Sequence, residues 1–599
     1  MDTAKLRRFA QEARRSLMEQ VSSRMKNVLA PDSAARRESP RAVAELLEAV
    51  ESAGEQQVIE RAAYTWFNRF CALRFMDVNQ YTRVGVVSPA EGQSQPELLA
   101  DAKMGHIDSE LGTERIRQQI RALLDGQVPS RDPQSEAYRL LLVAACNHWN
   151  KPMPFMFQKI EDYTELLLPD DLLSDKSILA RTREALTVAD CEDVEVIGWL
   201  YQFYISEKKD EVFEGLKKNR KITPENIPAA TQLFTPHWIV QYLVQNSLGR
   251  LWLLNRPDSR LAESMEYYIP PETPEQDFLE ISRPEEIKVC DPACGSGHML
   301  SYAFDLLYAM YEEDGYDPVD IPELILTNNL YGIEIDERAG ALAAFALTMK
   351  ARAKHRRFFS RKADPNICVL KNVTFEAAEL ERYIAAVGPE LFTPDVRDTL
   401  KLFCEANNFG SLIMPAIENP QELASRLAKV DLRDDMFLQE LHERVTTVVQ
   451  MAGYLTPRYQ VVVANPPYLS GRGMNATLNA WARKTYPKSK ADLFAMFIER
   501  CLELAANRGT ISMITMQSWM FLSSYEALRE RILGEHTIVS MAHLGARAFD
   551  SIGGEVVATT AFVIDKVHLP DYRGAFIRLV DGNSEAEKRR MLKAAIVHA

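Results

Sequence analysis

The chain has 599 residues, more than one core can use, because single cores stop growing near ~250–300 residues. With 46% hydrophobic and 26% charged residues, its composition is that of a globular protein, not of a disordered or fibrous one. The net charge of −14 excludes a surface that grips nucleic acid all over but leaves room for local cationic patches, which are what phosphates need.

No run approaches the ~18 consecutive apolar residues of a membrane span. The N-terminal charges are not followed by an apolar signal core. A cytoplasmic protein without membrane contact is therefore expected. Of the eight cysteines, Cys290 and Cys294 are the close pair. No second Cys or His pair completes a zinc site, so free thiols and no metal are expected.

Residues 1–230 read as a mostly helical N-terminal domain. Ile59, Ala62, Ala63, Trp66, Phe70 and Leu73 recur at helical spacing, as do Ile116, Ile120, Leu123 and Leu124. Trp66, Phe67 and Phe70 suit core packing better than contact with a base. A metal-dependent nuclease would need a strand bearing an acid followed by Glu-x-Lys. The acidic run Cys191–Glu195 leads instead into the helical pattern at Gly198–Tyr201.

From residue 231 to 599 the pattern becomes α/β, with short apolar runs between helical stretches. Strands are expected at Lys288–Cys290, Leu330–Ile333, Ile367–Leu370, Gln460–Ala464, Thr510–Ile514 and Ala558–Ile564. A largely helical insertion is expected at about 375–455.

Three segments carry chemistry. The first is Asp291-Pro292-Ala293-Cys294-Gly295-Ser296-Gly297-His298, a glycine turn between a strand and a helix. Such a turn lets backbone approach a bound cofactor, although the spacing is not the G-x-G-x-x-G of dinucleotide-binding folds. The second is Tyr331-Gly332-Ile333-Glu334-Ile335-Asp336. The Glu334 carboxylate at a strand end can accept from the hydroxyls of an adenosine ribose, and Ile335 can pack on the adenine.

The third is Asn465-Pro466-Pro467-Tyr468, directly after an apolar run. An exocyclic amine on a base is a poor nucleophile, because its lone pair is delocalised into the ring. The Asn465 side-chain oxygen and the Pro466 carbonyl can each accept one amine hydrogen and draw that pair out. The prolines stiffen the loop. Tyr468 can stack on a base swung out of a duplex.

These segments resemble those of the DNA amino-methyltransferases, and their order resembles the γ class. In that class a cofactor-binding segment precedes the glycine turn, matched here by Phe234-Thr235-Pro236-His237-Trp238-Ile239-Val240. A second Phe392-Thr393-Pro394 falls inside the insertion and out of order, so it is read as coincidence. Asp492-Leu493-Phe494-Ala495-Met496-Phe497 starts the family's next helix, and Phe549, ahead of Gly553-Gly554, resembles its second base-stacking aromatic. The runs Ala63–Phe70 and Ile197–Tyr204 are similar to the methyltransferase family of bacterial BREX phage defence, PglX, which is about twice as long.

The resemblance implies a Rossmann-like class I methyltransferase domain that binds S-adenosylmethionine and methylates adenine N6 in double-stranded DNA. It also implies other phage-defence proteins as partners. It implies that Phe234, Thr235 and Pro236 close over the methionine end of the cofactor. Asp291, Pro292, Ala293, Gly295, Ser296, Gly297, Glu334 and Ile335 would complete the cofactor site. A residue after the third strand would contact the cofactor adenine, with Asn372 and the group Asn407, Asn408 and Ser411 as candidates. The basic Lys484 and Lys488, with Arg483 and Lys490, are placed to meet phosphates. N4-cytosine methylation uses the same geometry, although serine more often replaces Asn465 there. The same motifs also allow a combined restriction-modification enzyme or a non-catalytic recognition subunit. The resemblance leads us to expect a C-terminal target-recognition domain that this chain lacks, and therefore cofactor binding without methylation of a defined DNA sequence.

Overall fold

The computed structural model describes residues 3–160, 163–218, 220–361, 363–432, 435–456, 459–549 and 557–597. The chain divides into two compact units, one of residues 1–208 with 357–362 and one of residues 209–356 with 363–599. No helix among the described residues is long and apolar enough to cross a membrane.

The first unit is helical. Its helices include α1 (Thr3–Leu29), α2 (Glu55–Val78) and α3 (Pro133–Trp149). Trp66, Phe67 and Phe70 are at most 1% exposed on α2. Phe67 packs 4.6 Å from the Tyr204 ring, and the Trp66 indole N–H donates to the Thr164 carbonyl. These aromatics are core.

Among the described residues, the second unit is built on an eight-stranded sheet in the order β3-β2-β1-β4-β5-β7-β6-β8. The strands are β1 (Val289–Asp291), β2 (Leu330–Glu334), β3 (Asn366–Val369), β4 (Tyr459–Ala464), β5 (Ala505–Met516), β6 (Thr537–Gly545), β7 (Thr559–Asp565) and β8 (Ala575–Arg578). The pairs from β3 to β5 are parallel. β7 runs antiparallel between β5 and β6. This is the doubly wound sheet of the class I methyltransferase fold, with its one reversed strand.

The apolar runs alternate in the faces they serve, as a pleat requires. Cys290, Ile333, Val462, Ala464, Ile511 and Met513 share a core with the insertion helix α8 (Met436–Leu455) and with α10 (Leu493–Leu504). From the intervening positions, Ser512 Oγ donates to the Leu243 carbonyl at 2.9 Å, on helix α4 (His237–Val244). Helices α5 (His298–Glu313) and α6 (Glu337–Lys354) follow β1 and β2 and pack on them. The insertion also holds α7 (Pro394–Leu402), whose N-cap is Thr393, accepting from Val396 N–H. The second Phe-Thr-Pro is thus a helix start.

Candidate active site

Parallel register brings the three motifs to one edge. Cys290 lies beside Tyr331 on β2 and beside Val462 on β4. The glycine turn after β1, Glu334 ending β2 and Asn465 following β4 therefore leave the sheet at the same carboxyl end, where open α/β sheets bind ligands.

The glycine turn is tight by necessity. Gly297 has φ +82°, and a Cβ there would lie 3.0 Å from the Cα of Ala343 on α6. Gly295, at φ +54°, faces open space instead, leaving its backbone approachable. Cys294 N–H donates to the Ile333 carbonyl at 3.0 Å, locking the turn onto β2. Pro292, Ala293 and Ser296 complete the loop.

Glu334 is a hub of backbone donors. One oxygen accepts from Gly295 N–H at 2.8 Å. The other accepts from Ile335 N–H at 2.9 Å and Asp336 N–H at 3.0 Å. A carboxylate offers about four lone-pair sites, so the oxygen facing Gly295 retains one for a ligand hydroxyl. Burial pushes Glu334 up to about 7, against the pull of these N–H groups and with the help of Asp336. Asp291, accepting from Ala293 N–H, is pushed up to about 8 by burial, with Glu334 adding to the effect.

The insertion contributes a wall. Gly410 (φ +57°) comes so close that a Cβ would lie 3.3 Å from Ile335 Cγ2, and Ser411 Oγ donates to the Pro292 carbonyl. Asn372 Oδ1 accepts from Asn407 N–H at 2.8 Å, which joins two of the residues expected near a cofactor adenine. The Asn408 amide is engaged by Asn475 at 2.8 and 3.3 Å and by Glu405. Among the described residues, Asn407 Oδ1 is buried without a hydrogen-bond partner.

After β4, Pro466 is buried and Asn465, Pro467 and Tyr468 are half-buried. Asn465 Nδ2 donates to the Leu233 carbonyl at 2.9 Å and to Thr235 Oγ1 at 3.0 Å. Asn465 Oδ1 accepts from the Tyr468 hydroxyl at 3.0 Å, and that hydroxyl also reaches the Ile514 carbonyl at 3.2 Å. The Tyr468 ring stands edge-on to Phe494 at 6.1 Å. Asp492 caps α10 and accepts from Leu469 N–H at 2.9 Å, which pins the loop after Tyr468.

Among the other predicted residues, Phe234 stacks on His298 at 4.3 Å and 14°. Lys484, in the last turn of α9 (Ala476–Thr485), and Lys488 are exposed. Phe549 is 3% exposed. Gly553 and Gly554 lie outside the described residues. Sequence reasoning does not find Leu233 and Thr235 behind the Asn465 amide, because these partners stand 232 and 230 residues away. It also misses Asn475, whose signal as a helix cap is visible but whose pairing with Asn408 is not.

The fold is that of a class I methyltransferase domain. The family described as Eco57I restriction-modification methylase matches residues 328–549. The adenine-specific methyltransferase BrxX of Escherichia coli O9:H4 (strain HS) is 44% identical over 573 residues, covering 90% of this chain and 46% of BrxX. The adenine-specific methyltransferase PglX of Lacticaseibacillus casei (strain Zhang) is 36% identical over 651 residues, covering 100% of this chain and 53% of PglX. These adenine-specific methyltransferases are homologues of this chain over most of its length, and the chain spans about half the length of the curated relatives it matches. Among solved structures, the DrdV–DNA complex is similar with a TM-score of 0.44 and 12% identity, over 99% of this chain and 44% of that one. The Type IIL restriction-modification enzyme MmeI in complex with DNA has a TM-score of 0.42 and 13% identity, over 95% of this chain and 59% of that one.

Proposed function

We propose that this chain carries the cofactor-binding and catalytic parts of a DNA adenine-N6 methyltransferase of a BREX-like phage-defence system. The observation that carries the reading is the Asn465-Pro466-Pro467-Tyr468 loop, set at the same sheet edge as the Glu334 hub.

The residues fit S-adenosylmethionine. The open face of Gly295 and the remaining lone pair on Glu334 suit a ribose. The buried, unpartnered Asn407 Oδ1 suits the cofactor adenine amine better than Asn408, whose amide is already engaged. Ile335 packs on the ring, and Phe234 and Pro236 flank the methionine end. When bound, the cofactor supplies an electrophilic methyl group on a sulfonium.

Asn465 Oδ1 and the Pro466 carbonyl accept the two hydrogens of the adenine amine and so concentrate electron density on its nitrogen. Tyr468 packs on the extruded base, and Lys484 and Lys488 meet backbone phosphates. The chain contributes orientation and acceptors, with no covalent intermediate. Cys294 suits no nucleophilic role, because burial holds its thiol well above the usual range.

The test is methyl transfer from labelled S-adenosylmethionine to unmethylated duplex DNA by the full-length protein, with the product base identified by mass spectrometry. N6-methyladenine is expected. Asn465→Ala is expected to lose transfer at least a hundredfold while calorimetry gives a nearly unchanged cofactor affinity. Methylcytosine as the product, or an active Asn465→Ala variant, refutes the reading.

A further inference from the structure

The side-chain amide of Asn465 is held from behind. Both Nδ2 hydrogens are engaged, one by the Leu233 carbonyl at 2.9 Å and one by Thr235 Oγ1 at 3.0 Å. A carbonyl only accepts, so turning the amide over would press Oδ1 against the Leu233 oxygen. The polarity of the amide is therefore set, and Oδ1 points to the side where Tyr468 donates to it. Thr235 is 4% exposed, so no bulk water replaces its hydroxyl.

We infer that Leu233 and Thr235 are positioning residues for the transfer. The Leu233 carbonyl determines that Asn465 presents its oxygen, and not its NH₂, to the substrate amine, and Thr235 Oγ1 takes the second N–H and holds the amide in place. This rests on the reading of Asn465 given above. It moves Thr235 from the cofactor wall, where family order puts it, to the back of the reacting amide. An amide presented the other way sets N–H against N–H and holds no amine lone pair out of the ring. The Tyr468 hydroxyl fits the same scheme. It has a second acceptor in the Ile514 carbonyl, so it can yield Oδ1 to an incoming amine and still keep a partner.

Thr235→Val in the full-length protein tests this. Valine keeps the shape and deletes the acceptor, leaving a buried N–H of Asn465 unsatisfied. The expected result is a fall in kcat of about tenfold, the usual scale for one hydrogen bond, with KM for DNA and calorimetric affinity for S-adenosylmethionine within about twofold of wild type. Thr235→Ser restores kcat, because it returns the oxygen. Thr235→Ala, which deletes the acceptor without a new methyl group, gives the same split and decides the matter if the valine variant does not fold. Wild-type kcat in the variants that lack the oxygen, or a loss of cofactor affinity that accounts for the lost rate, overturns the inference while leaving the role of Asn465 intact. Failure of the wild-type protein to methylate adenine overturns both.

Discussion

Replacing Glu334 by glutamine should make the unliganded protein more stable at alkaline pH and less stable at acidic pH, while weakening cofactor binding at both. Burial raises the Glu334 carboxyl from 4.5 to about 7. At about 1.4 kcal/mol per unit, ionising Glu334 in the folded state costs about 3 kcal/mol above pH 7. A group whose folded pKa is raised destabilises the fold above that pKa, and the cost disappears as pH falls towards the unfolded value. Glutamine removes the charge but turns one acceptor into a donor. Either Gly295 N–H, or Ile335 and Asp336 N–H, then loses its partner, at about 1–2 kcal/mol.

The balance at pH 8.5 favours Glu334→Gln by about 1–2 kcal/mol. At pH 5 most of the ionisation cost has gone from the wild type, and the variant is less stable by about 1 kcal/mol. Urea unfolding of both proteins at the two pH values reads this crossing. Cofactor affinity should fall about tenfold to a hundredfold, the worth of one hydrogen bond to a charged acceptor. Ligand binding to the wild type should strengthen as pH rises through 7, since the ribose hydroxyls donate to the ionised form. A variant less stable at both pH values would mean that the three backbone donors outweigh desolvation. An unchanged dissociation constant would move the ribose away from Glu334.

Two other substitutions probe the same unit. Asn407→Ala should weaken S-adenosylmethionine binding about tenfold in calorimetry, whereas Asn408→Ala should chiefly lower stability, because its amide joins Glu405 and Asn475; the reverse pattern would exchange their roles. Arg250→Met should destabilise the fold by about 3–5 kcal/mol, since it strands Glu275 and Asp565, both at most 9% exposed around an equally buried guanidinium; a loss under about 1 kcal/mol in urea unfolding would show that the triad relaxes into solvent.

The parts legible in the sequence are those where a local pattern and a chemical motif coincide. β1 and β2 end in the motif residues Asp291 and Glu334, and Asn465 directly follows β4, so strand and motif identify one another. β6 (Thr537–Gly545) has neither advantage. Ser540 and His543 break its apolar run, and it bears no motif, yet seven of its residues pair with β7 and place it inside the sheet. The insertion reads as helical, but its purpose does not, because Gly410 against Ile335 and Ser411 on Pro292 are contacts across long loops. Phe234-Thr235-Pro236 and Phe392-Thr393-Pro394 look alike as strings. Only the first has its threonine against Asn465; the second uses it to start a helix.

That difference gives the first segment a double task. Phe234 stacks on His298, which opens the helix after the glycine turn. Its neighbours on either side, Leu233 and Thr235, hold the Asn465 amide. Adjacent Cα atoms stand ~3.8 Å apart across a trans peptide, so neither contact can shift far without moving the other. Pro236 fixes φ at the end of the segment and leads directly into α4. The Leu243 carbonyl of that helix accepts from Ser512 on β5, beside the strand that carries Asn465. The loop from the glycine turn and the loop from β4 are therefore referenced to one short, stiff stretch of backbone. For the transfer proposed here between two bound molecules, that shared reference sets the alignment of donor and acceptor, and positioning of this kind converts a bimolecular step into an effectively unimolecular one.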